Sequence, residues 1–163
     1  MPLIRAGRFT EDDFVRVQDD DDLPATGNPV VSLARFEKER DTLLGRAGKF
    51  GVRLKSSDNP ESLRADGAKI ALIEIEFPSF RDGRGFSWAR VLRTRLGFKG
   101  EIRAVGHFLY DQLAFMVRTG FDAFEVRQDF READFARAMR EMSYFYQPSA
   151  DGRKTIRELR AGG

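Results

Sequence analysis

The sequence predicts an α/β fold in which repeated βα units form a mostly parallel, partial-barrel-like sheet of about five strands. Short apolar runs alternate with amphipathic stretches of about ten residues, which is typical of βαβ units. Within the runs, apolar and charged residues alternate, so one sheet face should be apolar and the other charged. We expect helices over the apolar face and the charged face on the concave side. Five strands are fewer than the eight of a closed (β/α) barrel.

The elements follow in chain order. Residues 1–29 should form an N-terminal β-hairpin, with strands at 3–4 and 14–17, and then an acidic loop at 19–22. A single α/β domain is predicted over 30–148, because β-branched and apolar runs recur there between charged segments. Its five strands are expected at 30–36, 51–55, 70–77, 101–106 and 123–127. Its helices are expected at 37–49, 86–96, 108–119 and 132–142, with a short helix start at 59–63. Residues 149–163 should form a basic, flexible tail.

Composition limits the classes of function. The 163 residues fit one domain. The chain has no Cys and one His, which excludes disulfides, Cys-ligated metal centres, a thiol nucleophile and the usual multi-His metal site. Its net charge of +2 is too balanced for a dedicated nucleic-acid binder. Neither a signal peptide nor a run of about 20 apolar residues is found, so we expect a cytoplasmic protein with no membrane partner.

The loop after the strongest predicted strand is the most informative segment. Ligands in open α/β sheets and barrels bind at the carboxyl ends of strands, and arginine forks suit sulfite, sulfate or phosphate. An Asp could orient the arginines, and Ser87 could cap the following helix. In the alternative interpretation, Arg84 only pairs with Asp82 or Glu76, and Ser87 only caps. The candidate anion-binding residues are Arg81, Asp82, Arg84, Ser87 and Arg103.

Other polar residues near predicted strand ends are secondary candidates. They are Arg53, Glu76, Asp111 and Gln112. His107 lies near Asp111 and could act as a general base, but no partner nucleophile is evident, so the catalytic residues stay unknown. The phenylalanines at 108, 115, 121 and 124 are expected to pack a helix onto the apolar sheet face. No nucleotide fingerprint, cofactor motif or metal site is identified.

Longer motifs lie in segments 51–54, 77–93, 101–106 and 120–124, with Asp111, Gln112 and Met116. Together they resemble a known family of small bacterial proteins of unknown function. Members are commonly described as probable oxidoreductases involved in sulfite reduction, and are typically encoded beside assimilatory sulfite reductase. The family usually has Asp in place of His107 and Tyr in place of Phe86, which argues against a catalytic His107 and an essential hydroxyl at Phe86. The resemblance implies no catalytic residues. It spans about Leu3 to Gln147.

From this resemblance we expect an accessory protein of assimilatory sulfite or sulfate reduction that assists sulfite reductase or its electron donor. One alternative is a small-molecule enzyme that acts on an oxyanion or a phosphorylated compound at the strand carboxyl ends. Another is a non-catalytic dimeric scaffold. Whether the chain is an enzyme stays open at this point.

The chain is predicted to form a homodimer, because a sheet covered on one side leaves a charged face and two strand edges exposed. Phe130, Phe135, Phe145 and Tyr146 would supply the apolar part of the interface. The alternative is a monomer whose hairpin caps the sheet. Light scattering behind a sizing column should give twice the chain mass, and a mass near 18.6 kDa at micromolar concentration would contradict the prediction.

Overall fold

A computed structural model describes residues 1–141, which form one curled, mixed sheet with helices. The sheet order is β2-β1-β8-β7-β6-β5-β4-β3. The six strands β3 to β8 run parallel to one another, whereas β1 is antiparallel to both β2 and β8. The strands are β1 (Leu3–Arg5), β2 (Arg8–Thr10), β3 (Phe14–Arg16), β4 (Asn28–Ser32), β5 (Gly51–Leu54), β6 (Leu72–Phe77), β7 (Glu101–Gly106) and β8 (Ala123–Glu125).

The α/β class and the partial-barrel shape are confirmed, but the sheet is mixed, so the prediction of about five parallel strands was wrong. The N-terminal residues add three strands to the same sheet, giving eight in all. The hairpin exists with a different partner: β1 pairs with β2 through a turn at Ala6 and Gly7, both at positive φ, as two-residue hairpin turns require. Segment 14–16 is instead β3, at the opposite edge of the sheet.

The connection between β2 and β3 shows how strongly the sheet curls. Thr10 ends one edge strand and Phe14 begins the other. Four residues span at most about 14 Å of extended chain. The edges of a flat eight-stranded sheet would lie about 34 Å apart, since neighbouring strands are about 4.8 Å apart. The sheet is therefore a half-barrel whose edges approach each other.

The helices predicted at 37–49 and 108–119 are shorter in the structure. Helix α1 begins at Leu33, because the Ser32 hydroxyl accepts a hydrogen bond from the Arg35 amide and ends the preceding strand. The predicted cap at Ser87 is wrong, since α3 begins at Arg84 after Gly83. The helices are α1 (Leu33–Lys38), α2 (Arg40–Leu44), α3 (Arg84–Arg90), α4 (Leu113–Thr119) and α5 (Glu132–Glu141), with 3-10 helices at Pro60–Leu63 and Tyr110–Gln112 and a π-helical turn at Val91–Arg95. Within residues 1–141 no helix has the length and apolar content needed to cross a membrane.

The alternation predicted along the strands is confirmed. Apolar residues at every second strand position are buried in one core with the helices, as Val52, Ile73 and Ile102 show. Helix α3 lies directly on β6, since a Cβ at Gly85 would stand 2.6 Å from the Phe77 ring. This close approach fixes the loop between β6 and α3 against the end of the sheet.

The fold contains only some of the features from which a homodimer was predicted. The edge strands β2 and β3 have three residues each, so they offer few unpaired backbone groups. Phe135 is buried within the chain, and Phe130 packs partly buried against the core. The remaining interface candidates, Phe145 and Tyr146, lie outside the described residues, as does the predicted basic tail. The homodimer stays a prediction.

Candidate functional site

The concave face of the half-barrel is built around one buried carboxylate. The strand register places Arg53, Glu74 and Arg103 side by side on β5, β6 and β7. Glu74, which is 1% exposed, accepts hydrogen bonds from Arg53 Nε at 3.0 Å and Arg103 Nη1 at 3.4 Å. It also accepts from Arg16 Nε at 3.1 Å and Arg16 Nη2 at 3.2 Å. Three arginines from three strands therefore share one carboxylate.

Further ion pairs extend this concave network. Arg103 is fully buried, and it donates to Asp12 at 2.8 Å and to Glu101 at 3.0 Å. Arg5 also donates to Glu101, at 2.7 Å. Arg16 donates to Glu125 on β8, five strands away in the sheet order. The network contains equal numbers of both charges: Arg5, Arg16, Arg53 and Arg103 with Asp12, Glu74, Glu101 and Glu125.

The electrostatics of the network keep its arginines charged. Burial opposes the charge of Arg16, but hydrogen bonds to Glu74 and Glu125 outweigh it, and the pKa of Arg16 is raised. Burial likewise opposes the charge of Arg103, while Asp12 and Glu101 raise its pKa. Residues 12–16 therefore cover the charged face of their own chain, so that face does not need a second copy to balance its charge.

The loop between β6 and α3 holds a second, exposed ion pair. Arg84 donates to Asp82 through Nε at 3.0 Å, Nη2 at 2.7 Å and its amide at 3.2 Å. The hydrogen bonds from Arg84 and then the Ser56 side chain lower the pKa of Asp82 well below its ordinary value. The same bonds raise the pKa of Arg84. Arg84 thus pairs with Asp82, as the alternative interpretation stated.

The other predicted site residues divide between two places. Arg81 lies beside the Asp82 pair, with its guanidinium carbon 5.5 Å from the centroid of the Phe80 ring. Gln112 donates to the Phe80 carbonyl at 3.1 Å, which joins it to the same loop. Ser87, Asp111 and His107 are exposed. Arg53 and Arg103 lie in the concave network instead, so the structure does not gather all anion-binding candidates into one cluster. Their anion-binding role stays a prediction.

Three large apolar side chains are exposed at the carboxyl end of the sheet, and we call them the carboxyl-end patch: Phe80, Leu109 and Phe115. Their exposed fractions are 45%, 45% and 43%. Gln112 links two of them, because its side chain also accepts a hydrogen bond from the Leu109 amide at 2.9 Å. The Phe115 ring lies 5.2 Å from Phe86, at the start of α3. The prediction that Phe115 packs into the core was wrong, whereas Phe121 and Phe124 are buried as expected.

A cavity of about 430 Å³ lies at the carboxyl ends of β7 and β8, beside α5. Phe108, Tyr110 and Phe130 contribute to its wall. Its polar groups already have partners: Arg137 donates to the Tyr110 hydroxyl at 3.0 Å, and Glu125 belongs to the concave network. The remaining wall is mainly apolar and suits an apolar group better than an anion.

Comparison with known proteins identifies one family. The family model for a bacterial protein of unknown function (DUF934) matches residues 51–157. No curated protein and no solved structure gives a match. The matched range contains the Asp82–Arg84 pair, the carboxyl-end patch and much of the concave network, but not Arg5, Asp12 or Arg16. Among residues 1–141, no three His, Cys, Asp or Glu side chains are grouped so that they could hold a metal ion.

The concave network predicts a large effect of Glu74→Ala on stability. Removal of one partner from a buried ion pair costs about 3–5 kcal/mol, because the opposite charges stay buried without compensation. We therefore expect the free energy of unfolding, measured by urea denaturation, to fall by about that amount. Glu37→Ala is the control, since Glu37 is exposed on α1 and should change stability by at most about 0.5 kcal/mol. Equal stability of the two variants would contradict the role of Glu74.

The Asp82–Arg84 pair predicts a specific titration change. In Arg84→Gln the pKa of Asp82 should rise toward its ordinary value of about 3.9, because the principal hydrogen-bond donor is lost. Carboxyl-carbon NMR measures this directly. Since the folded-state pKa is depressed, the pair stabilises the fold above about pH 4 and loses that effect as the pH falls further. Arg81→Gln is the control because Arg81 stacks on Phe80, and an unchanged Asp82 titration in Arg84→Gln would refute the assignment.

Proposed function

We propose that this chain, which belongs to the DUF934 family of bacterial proteins of unknown function, is an accessory protein of assimilatory sulfite reduction. In this proposal it acts in the cytoplasm and binds sulfite reductase or its electron donor. The sequence resemblance supports the process, and the exposed carboxyl-end patch supports binding to a protein. The patch is the observation that carries the proposal.

The chemistry of the carboxyl end favours a protein partner. In sheets of this kind, the carboxyl ends of the strands are where ligands bind. Here that end presents three exposed apolar side chains, while the nearby arginine that could hold an anion, Arg84, is already paired with Asp82. Exposed apolar surface with a polar rim is typical of protein interaction sites.

A charged residue beside the patch indicates which charge the partner surface should have. Arg81 is exposed beside Phe80, and no carboxylate in residues 1–141 forms an ion pair with it. Arginines at the edge of apolar contact regions are enriched in protein interfaces, where they pair with acidic groups of the partner. The proposed partner surface is therefore apolar at its centre and acidic where it faces Arg81.

Growth of a gene-deletion strain tests the process. We expect poor growth when sulfate or sulfite is the sulfur source and normal growth on cysteine, because cysteine bypasses the reduction. A plasmid copy of the unaltered gene should restore growth. Equal growth of the deletion strain on all three sources would remove the proposal.

Complementation with variants tests the patch. Phe80→Ser should fail to restore growth on sulfite and should lose capture of the reductase or its electron donor, because the interface would lose an apolar contact. Phe9→Ser is the matched control, since Phe9 is 44% exposed on β2, outside the carboxyl-end patch. Thermal unfolding of both variants separates loss of binding from loss of folding. Full complementation by Phe80→Ser would show that the partner binds elsewhere.

A further inference from the structure

A second, smaller cavity lies at the carboxyl ends of the strands β3 to β6, on the charged side of the sheet. Its volume is about 140 Å³, and charged side chains of both signs line it. Arg53 and Lys55 come from the end of β5, and Glu76 from the end of β6. Asp19 follows β3, and its carboxylate accepts a hydrogen bond from Ser32 at 2.7 Å. The cavity therefore presents cations and carboxylates to one small volume.

Several charged side chains of this cavity have nitrogen or oxygen atoms without a hydrogen-bond or ion-pair partner within residues 1–141. Arg53 donates only Nε to Glu74, so its two terminal nitrogens have no acceptor among the described residues. The Lys55 ammonium group and the half-buried Glu76 carboxylate form no hydrogen bond or ion pair within that part of the chain. Arg53 and Glu76 are only partly exposed, and an incompletely paired charge at such a position is costly, so they favour a ligand that pairs with them. Lys55 is exposed at the mouth of the cavity and adds a second positive charge.

We propose that this cavity binds a small zwitterion of the α-amino-acid class. The terminal nitrogens of Arg53, with Lys55, hold the ligand carboxylate, because an arginine fork matches the two carboxylate oxygens. Glu76 and Asp19 accept from the ligand ammonium group. The volume restricts the ligand to a small amino acid, since ordinary drug-sized sites have about 300–1,000 Å³.

The charges of the cavity distinguish a zwitterion from a simple anion. Arg16 also lines the cavity, but its guanidinium is committed to Glu74 and Glu125. The remaining lining charges are two cations and two carboxylates: Arg53, Lys55, Asp19 and Glu76. A simple anion would leave both carboxylates unmatched and would be repelled by them. This site does not include the carboxyl-end patch, and its test is independent of the role in sulfite reduction.

Isothermal titration calorimetry on the full chain tests the proposal. The probes are glycine, L-alanine and L-serine at millimolar concentration, compared with acetate and methylammonium as carriers of one charge each. We expect heat from at least one amino acid and none from the two single-charge compounds. Glu76→Gln should weaken amino-acid binding about tenfold or more, because a charge-assisted hydrogen bond is lost. The fold should not change, since Glu76 has no partner to lose in residues 1–141.

Glu37→Gln serves as the control, because Glu37 is exposed on α1 and does not line the cavity. Its affinity for the amino acid should equal that of the unaltered chain. The proposal is overturned if none of the three amino acids binds, or if acetate binds as tightly as they do. Unchanged affinity in Glu76→Gln, with unfolding like that of the unaltered chain, would overturn the assignment of the ammonium site.

Discussion

The shape of this half-barrel depends on the Glu74 carboxylate. Glu74 lies in the middle of the sheet and is buried, and a buried carboxylate without compensation costs several kcal/mol. The negative charge of Glu74 is compensated by Arg53 and Arg103, which lie on the two neighbouring strands. The third arginine, Arg16, belongs to the edge strand β3 and can reach Glu74 and Glu125 only if the sheet curls. The same ion pairs that neutralise the interior therefore hold the edge of the sheet over its concave face.

A neutral, paired interior determines where binding can occur. Four arginines and four carboxylates occupy the concave face, and a ligand among them would displace ion pairs of the buried Glu74 and Arg103. We therefore expect ligands and partners to bind at the carboxyl ends of the strands, where some charged side chains have no ion-pair partner. Arg53 belongs to both regions, because its Nε binds Glu74 in the network and its side chain also lines the smaller cavity of about 140 Å³.

The sequence predicts the interactions between residues that are close along the chain. It misses those between distant residues that only the curl of the sheet brings together. Alternation along β5 to β8 predicted the charged concave face, and the two-residue separation of Asp82 and Arg84 was enough to suggest their pairing. The strands β2 and β3 were not foreseen in their places, because three residues are too short to show alternation. Arg16 and Glu74 are 58 residues apart, and only the curl of the sheet brings them together. The prediction that Phe115 is a core residue was wrong because the sequence pattern does not distinguish the edge of the apolar face of a helix from its centre.

Arg103, Arg84 and Arg81 illustrate how different the environments of arginines are within residues 1–141, which explains why the overall charge reveals little about function. Arg103 is buried among carboxylates, Arg84 is exposed but paired with Asp82, and Arg81 is exposed over Phe80. Arg81 has no carboxylate partner among residues 1–141, so another molecule can pair with it without breaking an existing ion pair. The net charge of +2 therefore does not distinguish charges that are paired within the fold from unmatched groups such as Arg81. Recognition should depend on those unmatched groups, because they are the charges whose pairing another molecule can complete at little cost to the fold.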